Sequence, residues 1–142
     1  MVRTWTMTDA WVFAAIAHDR PPAVHKLTEI IAIADGINHN VVSEGEFTKS
    51  VARLMAAGLI EADAQRDRYW PTDAGADLRN RWKHGAFGWI TAIPPQLDRI
   101  GEPQDSAWSL PAGVFRAAVD EYLARADEWL KRHGVKSAPE NG

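Results

Sequence analysis

Residues 43–60 read SEGEFTKSVARLMAAGLI, and this stretch decides the fold. Ser43 and Glu46 stand at the spacing of a capping box, in which the Ser hydroxyl accepts from the Glu46 amide and the Glu46 carboxylate reaches back. Phe47, Val51, Leu54 and Met55 then recur at helical spacing on one face, which assigns Glu46, Lys49, Ser50 and Arg53 to the opposite, outward face. Gly58 ends the helix, because a left-handed turn is least costly without a Cβ. Leu59-Ile60 opens an extended stretch to Ala64, Gln65-Arg66-Asp67 reads as a loop tip, and Arg68-Tyr69-Trp70 reads as a returning strand. Pro71 has no N–H to give to a ladder and marks that strand's end.

Working upstream, Thr8 is expected to cap a first helix running through His18, with Trp11, Val12, Ala15 and Ile16 on its inner face. Pro21-Pro22 stops it. Pro22 is a good first residue for a second helix, Gly36 is placed as its C-cap, and Val24, Leu27, Ile30, Ile31 and Ala34 form the apolar stripe between them. Asp35 to Val42 is an eight-residue connection. Downstream, Thr72 caps a fourth helix from Asp73 to about His84. Gly75 falls where an absent side chain permits close approach to the base of the hairpin.

Beyond Gly85 the composition changes. A Gly/Pro-punctuated stretch leads to an amphipathic helix from Ala112 to His133, about 33 Å long at helical rise. Its stripe comprises Val114, Phe115, Ala118, Val119, Tyr122, Leu123, Ala126, Trp129 and Leu130, a face that must be buried somewhere. The expected organisation is residues 1–84 as one domain, 85–136 as a helical extension for packing or dimerisation, and 137–142 as a flexible polar tail. The fold class is mainly α with a small β-hairpin, α+β.

The chain has 142 residues, 16 Lys plus Arg against 19 Asp plus Glu, and a formal charge of −3. With 46% hydrophobic and 25% charged residues, it has the composition of a globular chain able to build a core. The charge argues against broad, charge-driven binding to nucleic acid or anionic membrane. The absence of cysteine excludes disulfides, thiolate metal sites and cysteine catalysis. No apolar run approaches the roughly 20 residues that span a bilayer. Met1-Val2-Arg3-Thr4-Trp5 does not begin a signal peptide, so a cytoplasmic location and no membrane partner are expected.

Two helices, a capped third helix and a hairpin re-entering a helix are specific enough to compare with a family. Residues Thr8 to His84 resemble a winged helix-turn-helix domain of the MarR-type and PadR-type bacterial transcriptional regulators. The resemblance is carried by Ser50-Val51-Ala52-Arg53-Leu54-Met55-Ala56-Ala57-Gly58-Leu59-Ile60 and by Tyr69-Trp70-Pro71-Thr72-Asp73-Ala74-Gly75. These match a recognition helix ending in R-L-x-x-x-G-L-I and a helix re-entry through Y-x-L-T-x-x-G, with Pro71 standing where the family has leucine. The resemblance implies duplex DNA as partner, with helix 43–57 in the major groove. Thr48, Lys49, Ser50 and Arg53 would then face base edges or phosphates, and Arg66 and Arg68 of the wing tip 65–68 would reach the backbone or minor groove. It also implies a homodimer through the helix at 112–133, which would place two recognition helices on a two-fold site.

Charge weighs on the other side. From Ser43 to Arg68, Lys49, Arg53, Arg66 and Arg68 stand against Glu44, Glu46, Glu61, Asp63 and Asp67, a net of −1. The alternative is a winged-helix protein–protein interaction module without DNA binding, its acidic third-helix surroundings docking a partner. Clustering of the four basic residues favours DNA; neutralisation by Glu44, Glu46 and Asp67 favours protein.

No enzyme chemistry is expected. The histidines His18, His25, His39, His84 and His133 lack zinc-site spacing, and only His39 has interest as a ligand or pH-sensitive group. Neither a phosphate loop nor a G-x-S-x-G elbow occurs. Asp120-Glu121 and Asp127-Glu128 decorate a helix surface. No cofactor or metal is expected, and a small apolar effector lodged among Trp82, Trp89, Trp108 and Trp129 is the remaining ligand reading, with core packing the preferred role for these rings.

Overall fold

The computed structural model of the chain describes residues 3–81 and 88–134. Among the described residues, six helices and one antiparallel hairpin follow in the order α1 (Met7–Ile16), α2 (Leu27–Asn38), α3 (Glu44–Ala56), β1 (Ile60–Asp63), β2 (Arg68–Pro71), α4 (Asp73–Asn80), α5 (Gly88–Ile100) and α6 (Val114–Arg132). This is a mainly helical α+β fold with a small two-stranded sheet. Trp82, His84 and Phe87, and the tail from residue 137, lie outside the described residues.

The first helix starts two residues earlier than the sequence suggests. Thr6, not Thr8, is the N-cap: its hydroxyl accepts from the Asp9 amide at 3.1 Å, and the Asp9 carboxylate accepts from the Thr6 amide at 2.9 Å. Thr6-x-x-Asp9 closes both orphan donors at once. From Ala10 to Ala17 every residue is buried, so α1 is a central helix, with α2, α3 and α5 packed around it. Its C-terminal carbonyls are held from α4, where Arg79 donates to Ala17 O at 3.1 Å and to His18 O at 2.7 Å.

The second helix starts later than expected, at Leu27. Gly36 lies inside it, and the left-handed C-cap is His39, with φ of 53°. Pro22 therefore precedes the helix by several residues. What fixes the true start is distant in sequence: Asp67, from the hairpin turn, accepts from the Leu27 amide at 2.8 Å. Next to it His25 and Tyr69 exchange both backbone hydrogen bonds at 2.9 Å, so the connection before α2 adds a one-residue bridge to the free edge of β2. The hairpin pairs Ile60 with Pro71 and Asp63 with Arg68.

The third helix starts as the sequence suggests. Ser43 caps it, with Glu46 closing the box, and Phe47, Val51 and Leu54 are fully buried. Gly58 adopts φ of 75°. Gly75 is confirmed as a point of close approach: a Cβ there would lie 2.0 Å from the Leu59 carbonyl oxygen.

α5 was not legible beforehand. Trp89, Ile93 and Leu97, spaced four apart, are buried and turn it toward α1. Pro94 and Pro95 sit within it and withhold two helical N–H groups, yet the helix continues to Ile100. α6 packs on α2. One continuous cluster of buried side chains runs from Trp11 through Phe47 and Tyr69 to Leu97, Leu110 and Phe115, so the parts on either side of residue 85 share a core.

Two glycines make a paired test of the packing. Gly75→Ala forces a methyl group into backbone and is expected to destabilise the chain by at least about 2 kcal/mol. Gly36→Ala, in mid-helix with open space around it, is expected to stabilise by about 0.5–1 kcal/mol. Urea unfolding followed by circular dichroism measures both.

Candidate functional site

Arg53 organises the region on which the sequence focused attention. Its side chain is 7% exposed and runs inward from α3. Nη1 donates to Asp9 Oδ2 at 3.1 Å and to the Thr4 carbonyl at 3.1 Å, while Nε donates to Asp105 Oδ1 at 2.8 Å. Ser50, one turn earlier and also buried, donates to Asp9 Oδ1 at 2.7 Å. Asp9 thus receives Thr6, Ser50 and Arg53, so the acceptor capacity of this buried carboxylate is met from three elements of the chain. Asp105 takes a second cation, Arg3, at 3.3 Å.

The expectation that Ser50 and Arg53 lie outward is therefore corrected. Both face the body, because Asp9 supplies a buried acceptor that the helical stripe of α3 alone does not reveal. There both side chains are buried and hydrogen-bonded within the fold rather than presented on the α3 surface. Of the remaining residues expected to contact DNA, Thr48 is half-buried and its hydroxyl donates to Gly45 O at 3.3 Å, while Lys49, Arg66 and Arg68 are exposed. Lys49 contributes to the positive field at Asp105. Arg66 lies 3.9 Å from Asp63 across the turn.

A segment unforeseen as part of this site crosses α3. Residues 101–113 bring Asp105 to Arg53, Ser106 to the Ala52 carbonyl at 3.5 Å, and Trp108 edge-on to Phe47 and Tyr69 at centroid distances of 6.3 Å each. Ala52 is buried beneath it. The α3 surface still open to solvent holds Glu44, Gly45, Glu46 and Lys49 near its start, and Ala56 at its end. Acidic groups outnumber basic ones there.

The tryptophans also sort themselves. Trp89 is buried in α5, Trp108 packs on the core, and Trp129 is exposed and stacked on His133 at 4.2 Å. These three do not line a common groove. A cleft of about 480 Å³ opens elsewhere, between the start of α2 and the second half of α6. His39 lies outside it, and no group of metal-ligating residues is found among the described residues.

Titration follows the contacts. Burial alone would lower the Arg53 pKa, but hydrogen bonds to Asp105 and Asp9 raise it above the ordinary value. The Arg53 hydrogen bond holds the Asp105 carboxyl below the ordinary value. Tyr122 donates to Asp35, and that hydrogen bond, with burial, pushes its phenol up to about 12. Burial raises the Tyr69 phenol further still.

Comparison with protein-family models, curated proteins and solved structures returned no match for this chain.

Removing Asp9 leaves the Arg53 guanidinium half-compensated inside the fold. Asp9→Ala is expected to cost about 3–5 kcal/mol in urea unfolding, whereas Asp105→Asn, at a half-exposed position, costs far less. Depression of the Asp105 pKa adds stability that is present above the ordinary carboxylate range and lost as pH falls through the folded-state value. The wild-type advantage over Asp105→Asn therefore vanishes in strong acid. For the two phenols the sign is opposite, since stability is retained below their ordinary value and lost as pH rises through the raised one. An ultraviolet titration is expected to show no phenolate step near pH 10 while the chain remains folded.

Proposed function

We propose that this chain is a winged-helix interaction module that docks a protein partner and self-associates through α6, rather than a reader of DNA sequence. The observation that carries this reading is the inward capture of Arg53 by Asp9 and Asp105, which removes the strongest base-reading candidate from the α3 surface. Two further features support it. The open part of α3 carries Glu44 and Glu46 against Lys49, which suits a basic partner surface better than phosphate. The apolar stripe of α6 begins buried at Phe115 and Ala118 and ends in solvent, with Leu123 51% and Trp129 54% exposed. A second copy of the chain laid along that end would cover them. The order of three helices, a hairpin and a helix re-entry agrees with the winged-helix resemblance carried by residues 50–60 and 69–75.

The DNA-binding regulator is the second reading, favoured by the exposure of Lys49 on α3 and of Arg66 and Arg68 on the hairpin. Phosphate contacts through three cations would give binding without strong sequence preference.

Fluorescence anisotropy with a pool of labelled duplexes at about 50 and 200 mM salt separates the two, because affinity resting on phosphate contacts falls steeply over that range. The interaction-module reading expects no saturable binding at the lower salt and, by light scattering, a mass twice the 15.8 kDa of one chain. Leu123→Asp with Trp129→Ala is expected to return the monomer mass. Sub-micromolar, salt-sensitive binding abolished by neutralising Lys49, Arg66 and Arg68 would replace it with the DNA reading.

A further inference from the structure

The cleft between α2 and α6 adjoins the exposed end of α6, and the two are complementary in shape and polarity. Ala32 and Ile33 of α2 line it together with Tyr122 and Ala126 of α6, around an opening of about 480 Å³, a size that houses a ring system. The apolar stripe of α6 runs on past this wall. Tyr122, Ala126 and Trp129 follow one another at spacings of four and three, so Trp129 stands on the face that lines the cleft, about one turn beyond Ala126. Its indole does not enter the cleft. The ring is 54% exposed and stacks on His133, one turn further away, at a centroid distance of 4.2 Å. Each molecule thus carries an apolar-walled recess and, beside it, a bare aromatic ring turned away from that recess.

We propose that two copies of the chain exchange these rings, the Trp129 of each seating in the α2–α6 cleft of the other. The inference rests on the self-association reading above and adds the recess that receives the ring. A two-fold pair sets one patch against the same patch of the second copy, so that a residue meeting another is met by it in return. Because ring and recess adjoin on a single face of α6, one axis crossing that helix near Ala126 satisfies both contacts at once. Leu123, 51% exposed, lies within the span of α6 between the two and adds apolar area to the contact. The charges of this stretch are matched within the chain. Asp127 pairs with Lys131 at 3.1 Å, Glu128 with Arg132 at 3.6 Å, and Arg125 of the cleft with Glu121, each at a separation of four residues along the helix. What the end of α6 offers a partner is therefore an uncharged ring, and the wall formed by Ala32, Ile33 and Ala126 suits it. Tryptophan is among the residues that most often anchor such contacts, since it buries a large apolar area at small entropic cost.

Photo-crosslinking locates the ring directly. The full chain with p-benzoylphenylalanine in place of Trp129 keeps an aromatic group at that position, and under near-ultraviolet light it inserts into the C–H bonds around it. It would be irradiated with an equal amount of nitrogen-15-labelled wild-type chain, at a concentration where light scattering shows the dimer mass. Mass spectrometry of the joined peptides then separates links between copies from links within one. Links between copies that map to residues 28–33 are expected. Ala32→Trp fills the recess and is expected to raise the dimer dissociation constant at least about tenfold, the loss typical of a buried aromatic anchor. Links found only within one chain, links between copies that map only to α6, or an unchanged dissociation constant in Ala32→Trp would each overturn the ring exchange while leaving self-association in place. A monomer mass at every concentration would overturn both.

Discussion

The ion pair between Arg53 and Asp9 is the constraint on which the rest of this structure depends. A carboxylate from the first turn of α1 and a guanidinium from the last turn of α3 meet inside the protein, and their remaining hydrogen-bonding capacity is taken up by Thr4, Thr6, Ser50 and Asp105. A buried pair of this kind adds little net stability against an apolar replacement, because both ions were well solvated in water. Its value is directional. Only one rotation of α3 about its axis brings Ser50 and Arg53 together onto Asp9, and that rotation fixes which residues α3 leaves to solvent. The same pair draws in the N-terminal segment through Thr4 and residues 101–113 through Asp105. Two otherwise irregular stretches of chain are thereby ordered against one side chain.

That arrangement has a functional cost. A helix whose polar residues are consumed internally has fewer to offer a ligand, and here the internal network takes a serine and an arginine from the second half of α3. The segment carrying Asp105 and Trp108 then lies over the helix and buries Ala52. What α3 and the hairpin leave to solvent is the first turn of the helix and the wing residues Arg66 and Arg68, where charges of both signs alternate. On the interaction-module reading proposed above, such a surface would favour short-range contact with another protein over long-range attraction to a polyanion.

Much of the architecture was legible because it is written in local signals. The Ser43–Glu46 box, the left-handed Gly58, the Thr72 cap and the tight Gly75 each act within a few residues, and each stands where its pattern suggests. Errors arose where a distant residue decides. The start of α2 is set by Asp67, forty positions away, so Pro22 and Gly36 gave misleading bounds. α5 was concealed by Pro94-Pro95, although the spacing of Trp89, Ile93 and Leu97 carried its helical period. The inward turn of Arg53 could not be read from α3 at all, because the face of a polar residue depends on where its partner lies. One signal did exist upstream: Thr6-x-x-Asp9 places an acid in the first turn of an otherwise apolar helix, a position at which a buried counter-charge is to be sought. The cleft escaped notice for the same reason, being assembled from the ends of elements nearly a hundred residues apart.

The double backbone exchange between His25 and Tyr69, with Asp67 on the Leu27 amide, ties the hairpin turn to the first turn of α2. Neither is able to open alone without exposing the amides of the other. The two are therefore expected to behave as a single unit in amide hydrogen exchange, with the Leu27 and Tyr69 amides protected to a common level and released in the same opening event.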